Sequence, residues 1–362
     1  MKRTTTAALI ALATLTMVAC NNDDPKPDNP SGGGGSGTGT EATVPDALVL
    51  NEGGWGANNA SISALNIAAR TADNEWFSEA NGRGLGDVAQ DMLHYGSKVY
   101  ATVTYSNSLE VIDPATGHSQ RVDMGTRQPR SLAADGGKLY ITCYNPCSVV
   151  RVDTATLEVE STCTLGDYKP EGIAIAQGKA FVASSFNDSF EYDNKLYVIS
   201  LASFASPQTV EVGTNPGLVK SVDDGRVLVC YNGDYATLPA GSAIVDAATL
   251  AVQQTGEELA GAAVYGGAVY GYASTWVEVE GNWVQSVGFK KIDLATMTAS
   301  QLSSLSGIQS PYGIDINPAN GDIYVTDAGA SANGDIYCYT IDGSMRFKME
   351  LGMFPKKTVF LK

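Results

Sequence analysis

From about Val44 onward, short runs of alternating apolar and polar residues recur at a nearly constant interval. Alternation with period two marks a strand that buries one face. The runs are rich in β-branched and aromatic residues, and Gly, Asn, Asp and Pro separate them, the chemistry of strands joined by tight turns. The segments "VAQDMLHYGSKVYATVTYSNSLEVIDPATGHSQRVDMGTR" and "QPRSLAADGGKLYITCYNPCSVVRVDTATLEVESTCTLGDY" align without a gap. Each holds an apolar strand, a glycine turn, an alternating strand, a polar turn, a strand ending in Val/Ile-Asp, an "xATG" or "TATL" turn and a last strand. That is four strands in roughly 40 residues.

The unit recurs with longer insertions from "KPEGIAIA", "NPGLVKSV", "GAAVYGGAVY" and "SPYGIDIN", which makes six copies. A seventh, "DALVLNEGGWGANNASISALNIAARTADNEW", begins directly at its second strand. The closing "FPKKTVFLK" has the form of the missing first strand. Four-stranded units at this period are propeller blades, and a blade assembled from both termini closes the ring. The expectation is an all-β, seven-bladed β-propeller with its first blade closed by the C-terminal strand, spanning residues 45–362.

Ahead of that body, "MKRTTTAALIALATLTMVAC" has a basic start, a short apolar stretch and small Ala19 before Cys20, the form of a lipoprotein leader. Cleavage is expected after residue 19, with lipid on the Cys20 thiol. Residues 20–44 are rich in Gly, Ser, Pro and Asp, too polar to bury a core, and are expected to form a flexible tether. The formal net charge is −16, and it becomes more negative once Lys2 and Arg3 leave. This acidity argues against nucleic acid as a partner and leaves the lipid anchor as the expected link to a membrane.

Six cysteines and two histidines limit the chemistry. Removing Cys20 leaves an odd number, so no complete disulfide framework is expected. The spacing of "CYNPC" allows Cys143 and Cys147 to bridge one hairpin, but structural thiols are the preferred reading. His94 and His118 belong to different repeats and form no zinc pattern.

In a propeller, the residue next to the start of each inner strand, which follows a proline in five of the seven repeats, is expected near the channel mouth. These residues are Gln90, Arg130, Glu171, Gly217, Ala260, Tyr312 and Lys356, a mixed ring that suggests an asymmetric ligand face. Loops between second and third strands share that face and carry aromatics and amides. The candidate ligand-binding set is Asn51, Trp55, Tyr105, Arg130, Asn145, Glu171, Phe186, Tyr231, Trp276, Tyr312 and Lys356. Large rings beside adaptable amides suit a neutral, partly flat ligand. For the asparagines, simple turn formation is the preferred reading.

The "VLNEGGWGANNASIS" start, the "VYATVTYSNSLEVIDPATG" blade and the lipoprotein front end together resemble the surface-layer, YncE-type propeller lipoproteins of Bacteroides. The acidic pair Asp23-Asp24 resembles the surface-export signal of such lipoproteins. That group includes surface cobalamin-binding propellers that work beside a TonB-dependent outer-membrane transporter. The resemblance implies a lipid-anchored protein on the outer membrane that captures a corrinoid and hands it to such a transporter. No cofactor and no catalytic residue are expected. A glycan- or protein-binding propeller is the alternative. A channel-metal hydrolase is the third reading, since "KPEGIAIA" also resembles lactonase-like propellers, with Glu171, Asn215 and Asn317 as conceivable ligands. Asn317 is expected on the opposite face, and no Ser-His-Asp set, phosphate loop or calcium loop is present.

Overall fold

The computed structural model describes residues 44–329 and 333–362, apart from the side chains of Trp276, Val279 and Trp283. The expected leader, Cys20 and the tether up to residue 43 lie outside the described residues. Seven four-stranded antiparallel sheets follow one another along the chain as the blades of a β-propeller. Blade 2 runs from inner to outer strand through Ala89–Tyr95, Lys98–Val103, Ser108–Ile112 and Ser119–Asp123. Blade 1 is composite. Its inner strand is Pro355–Phe360, which pairs antiparallel with Ala47–Asn51, placing Phe360 opposite Ala47 and Lys357 opposite Leu50. The last strand of the chain therefore completes the first blade.

The second strand of each blade is packed on both faces and reads as almost continuously apolar; Ala47–Asn51 and Ile323–Asp327 are buried at every position. Outer strands face water, and Thr298–Gln301 is exposed throughout. Between blades, the inward rows interlock. Leu48, Leu50 and Ile62 of blade 1 meet Met92, Val99 and Ala101 of blade 2, with Phe77 of the connecting helix Trp76–Asn81 sealing the gap. Truncating a side chain such as Leu48 to Ala should cost about 2–5 kcal/mol.

The repeated "D-x-A-T" stretch has a local cause. Asp153 Oδ1 accepts the backbone N–H groups of Ala155 and Thr156 at 2.8 Å. Asp246 and Asp293 do the same for Ala248 and Thr249, and for Ala295 and Thr296. Each carboxylate satisfies donors the turn leaves free. Leu157, Leu250 and Met297, a few residues on, take up the left-handed backbone with φ of 62°, 62° and 56°.

Blade 6 departs from the common plan. Its inner strand pairs only as far as Tyr272, whereas Ala268–Val279 and Asn282–Asp293 stay paired to the tip at Val279 and Asn282. A long hairpin therefore rises from the face that carries the second-to-third strand loops. The bridge that the "CYNPC" spacing allows is not formed. Cys143 stands opposite Ser148, and Cys147 opposite Tyr144. Adjacent strand residues point to opposite faces, so the two thiols lie on opposite sides of the sheet. Both are free and buried.

Candidate functional site

Each inner strand starts at the same end of the channel, so the residues at these strand starts form a ring. Gln90, Arg130, Glu171, Gly217, Ala260, Tyr312 and Lys356 all line one cavity of about 690 Å³. The inner strands converge closely here. A Cβ on Gly172 of blade 4 would lie 2.6 Å from the Val219 backbone nitrogen of blade 5, so only glycine permits that approach.

Two polar clusters occupy the mouth. At the seam, Tyr312 Oη donates to Glu52 Oε2 at 2.6 Å, and Gln90 Nε2 donates to Glu52 Oε1 at 2.6 Å. Lys356 Nζ donates to Glu52 at 3.1 Å and to Gln90 Oε1 at 2.6 Å. Burial pushes the Glu52 carboxyl up, but the Lys356 charge and the three donors outweigh it and hold the group below its ordinary value. Across the mouth, Arg130 donates to Glu171 Oε2 through Nη2 at 2.9 Å and Nε at 3.3 Å. Its guanidinium lies 4.7 Å from the Tyr144 ring centroid, and the Tyr144 hydroxyl donates to the other oxygen of Glu171. Burial, then the adjacent carboxylate, raises the phenol pKa of Tyr144, and the same causes act on Tyr312. Both phenols stay protonated and act as donors. Glu52, Lys356, Arg130 and Glu171 are thus matched in opposite-sign pairs.

Beside the channel, over blades 4 and 5, lies a second hollow of about 380 Å³. Its rings are Phe186, Phe190, Tyr192 and Tyr235, and it shares Glu171, Gly217 and Asn232 with the main cavity. Phe186 and Phe190 stack with centroids 5.9 Å apart and planes 2° from parallel, while Tyr192 meets Tyr235 edge-on at 6.0 Å. Phe190 and Tyr235 are each 74% exposed. They also adopt left-handed backbone, with φ of 59° and 58°. Bulky residues in that region carry strain of about 1–3 kcal/mol each, a pattern that concentrates at ligand-binding sites.

Of the residues chosen from sequence, Arg130, Glu171, Tyr312 and Lys356 are brought together at the mouth, and Phe186 lines the adjoining hollow. Trp55 and Tyr105 form a separate exposed edge-on pair, 6.3 Å apart, over blades 1 and 2. Asn145 is exposed at the tip of the blade 3 hairpin. The Trp276 side chain and Cys20 lie outside the described residues. Two choices are corrected. Asn51 is fully buried inside blade 1, where Nδ2 donates to Ser61 Oγ at 3.0 Å and Ser63 Oγ at 2.8 Å, so no ligand reaches it. Tyr231 turns away from the mouth; its ring packs over Gly213 and Gly241, and its hydroxyl donates to Gln254 on the outer strand at 2.7 Å.

The turn reading holds for several asparagines. Asn59 accepts from the Gly54 N–H, Asn107 from that of Gln128, and Asn187 from those of Ser189 and Glu191. Sequence reasoning passed over Glu52, Phe190 and Tyr192. The signal for the last two was the run of three aromatics in "SFNDSFEYDN"; Glu52 carried none, being one polar residue at a strand end. For the channel-metal reading, Glu171 is committed to Arg130 and Tyr144, and Asn317 lies in the turn after Pro311–Ile316, on the opposite face. Among the described residues, no group of three His, Cys, Asp or Glu is placed to hold a metal ion.

Residues 46–331 match the family described as "Domain of unknown function (DUF5074)", and the chain belongs to that family. No curated protein matches the chain. Among solved structures, it resembles a Bacteroides uniformis protein provisionally named a 6-phosphogluconolactonase, at 12% identity and TM-score 0.61, covering 87% of this chain and 100% of that one. It also resembles the Kuenenia stuttgartiensis hydrazine synthase, at 20% identity and TM-score 0.57, covering 70% and 76%. A third is U3-55K, at 8% identity and TM-score 0.56, covering 74% and 83%. At these identities the likeness establishes the shared propeller fold alone.

Proposed function

We propose that this face of the propeller captures an extracellular ligand without transforming it, and that the ligand is a corrinoid. The observation that carries the reading is the four-ring hollow opening beside a mouth whose charges are already paired. The exposed, strained rings of Phe190 and Tyr235 supply stacking area at little entropic cost, while Asn232, at the edge the two cavities share, and the hydroxyl oxygens of Tyr144 and Tyr312, as acceptors, offer amide-compatible hydrogen bonds. A broad, largely uncharged macrocycle with amide side chains matches that chemistry. Acid–base catalysis is less well served, since each mouth carboxylate is tied down by a cation and a phenol. The lipoprotein front end supports anchoring through Cys20 at the outer-membrane surface and delivery to a TonB-dependent transporter. The B. uniformis neighbour's name points instead to lactone hydrolysis, which the paired state of Glu171 does not favour.

Calorimetric titration of the purified full chain with cyanocobalamin tests the reading. Saturable binding at roughly micromolar protein or below is expected. No heat and no complex under those conditions would transfer the site to a glycan or protein ligand. Cys20→Ser should release the protein from membranes, and protease shaving of intact cells should remove the propeller.

A further inference from the structure

Below the mouth, the channel holds a second charged layer that the reading above does not use. Lys220 of blade 5, Lys357 of blade 1, Asp315 of blade 7 and Asp91 of blade 2 all line the same cavity. The carboxylates are occupied. Asp91 accepts the N–H groups of Met92 and Leu132, each at 2.9 Å, the second from the next blade. Asp315 accepts the Thr358 N–H at 2.7 Å, again from the next blade, and pairs through its other oxygen with the Lys357 ammonium. Both act as clamps between neighbouring inner strands.

Lys220 is different. Among the described residues its amine has no acceptor; the Lys357 charge acts on it most strongly, the Asp315 and Asp91 carboxylates oppose that more weakly, and the buried Cys230 and Tyr272 line the same cavity. Lys220 and Lys357 line the same cavity, and the Lys357 charge is the strongest influence on the Lys220 amine. Two ammonium groups facing each other inside a channel repel, and each has donors to spare: an ammonium carries three. Between them the channel lining includes Gly261, Ala262 and Tyr272 of blade 6 and Gly313 and Ile314 of blade 7.

We infer that the channel below the mouth binds an anionic oxygen group, carboxylate or phosphoryl, between Lys220 and Lys357. Two oxygens of one such group reach both amines, supply the acceptor Lys220 lacks and replace repulsion by two charge-assisted hydrogen bonds. The like charge of Lys357, with burial, holds the Lys220 amine below its ordinary pKa, and a bound anion would oppose that shift. The group is either a small free oxyanion or the ionised part of a larger ligand seated on the mouth.

The test is calorimetry of the full chain with inorganic phosphate at constant ionic strength, then with cyanocobalamin. One saturable phosphate site is expected. Lys220→Met should weaken it at least about tenfold, the loss of one charge-assisted contact, while Lys220→Arg should retain it. If phosphate alone does not bind but Lys220→Met weakens cyanocobalamin, the group belongs to the larger ligand and the assignment stands. If phosphate binds and cyanocobalamin does not, the channel site stands while the corrinoid reading falls. Phosphate binding equally well to Lys220→Met overturns the assignment. So does the absence of any Lys220-dependent binding of either probe.

Discussion

Tyr312 and Glu52 lie 260 residues apart, yet the phenol donates to the carboxylate at 2.6 Å. The contact joins blade 7 to blade 1 at the place where the ring closes, and Lys356 of the closing strand donates to the same oxygen at 3.1 Å. Closure and the channel mouth are therefore built from the same residues.

That relationship makes the seam sensitive to acid. The folded-state pKa of Glu52 is depressed, because Lys356 and the donors outweigh burial. Its contribution is present above the unfolded-state value, near 4.5, and is lost as pH falls through the lower folded-state value. Glu52→Gln should lower the melting temperature at neutral pH, by an amount corresponding to about 1–3 kcal/mol. It should also flatten the fall in stability below about pH 4.5. Melting curves between pH 3 and 7 check both effects, and parallel pH profiles for the two proteins would contradict the assignment.

Removing residues 354–362 should open the ring. Ala47–Asn51 would lose its partner along the whole inner edge, and the Lys362–Asp46 pair would go with it. An unpaired apolar edge invites association. Light scattering and thermal melting should find an aggregating protein, weakened by several kcal/mol of a total typically about 5–15 kcal/mol. A truncated chain that stays monomeric with an unchanged melting temperature would contradict the closure.

Cys143 and Cys147 should both alkylate once the protein is unfolded without reductant, since their thiols face opposite sides of the sheet. In the folded protein, burial pushes the Cys143 thiol up to about 12, so it should react slowly. Peptide mapping after native and denaturing alkylation distinguishes this from a bridged pair, which would remain unlabelled in both.

The ring and its closure were legible because they rest on strong local signals repeated many times: period-two strands, glycine turns and the Asp-capped corner. Most of the mouth ring was legible because in five blades an inner-strand proline marks which residue follows it into the channel, and the repeat alignment supplied Gln90 and Ala260. Asn51 was misread at a strand end where the register shifts between Leu50 and Asn51, so alternation no longer tells inside from outside. Tyr231 stands at the end of its strand opposite Gly241, where missing side chains let the ring fold sideways. Phe190 and Tyr192 owe their placement to a loop folded on the Asn187 side chain, which accepts two backbone donors. Lys220 and Lys357 sit in separate blades, and only closure of the ring brings them together.

Calorimetry with cyanocobalamin on three single variants tests the central account most directly. Phe190 and Tyr235 are mostly exposed, so replacing either with Ala should leave the melting temperature nearly unchanged. Each replacement should weaken binding at least about tenfold if its ring is an anchor of the ligand. Asn320, whose side chain donates to Asp322 in the turn on the opposite face, should be replaceable by Ala with binding intact. Added salt should change the affinities little, because the mouth charges are paired. Equal affinity in all three variants, or equal loss in all three, would contradict the assignment of this face.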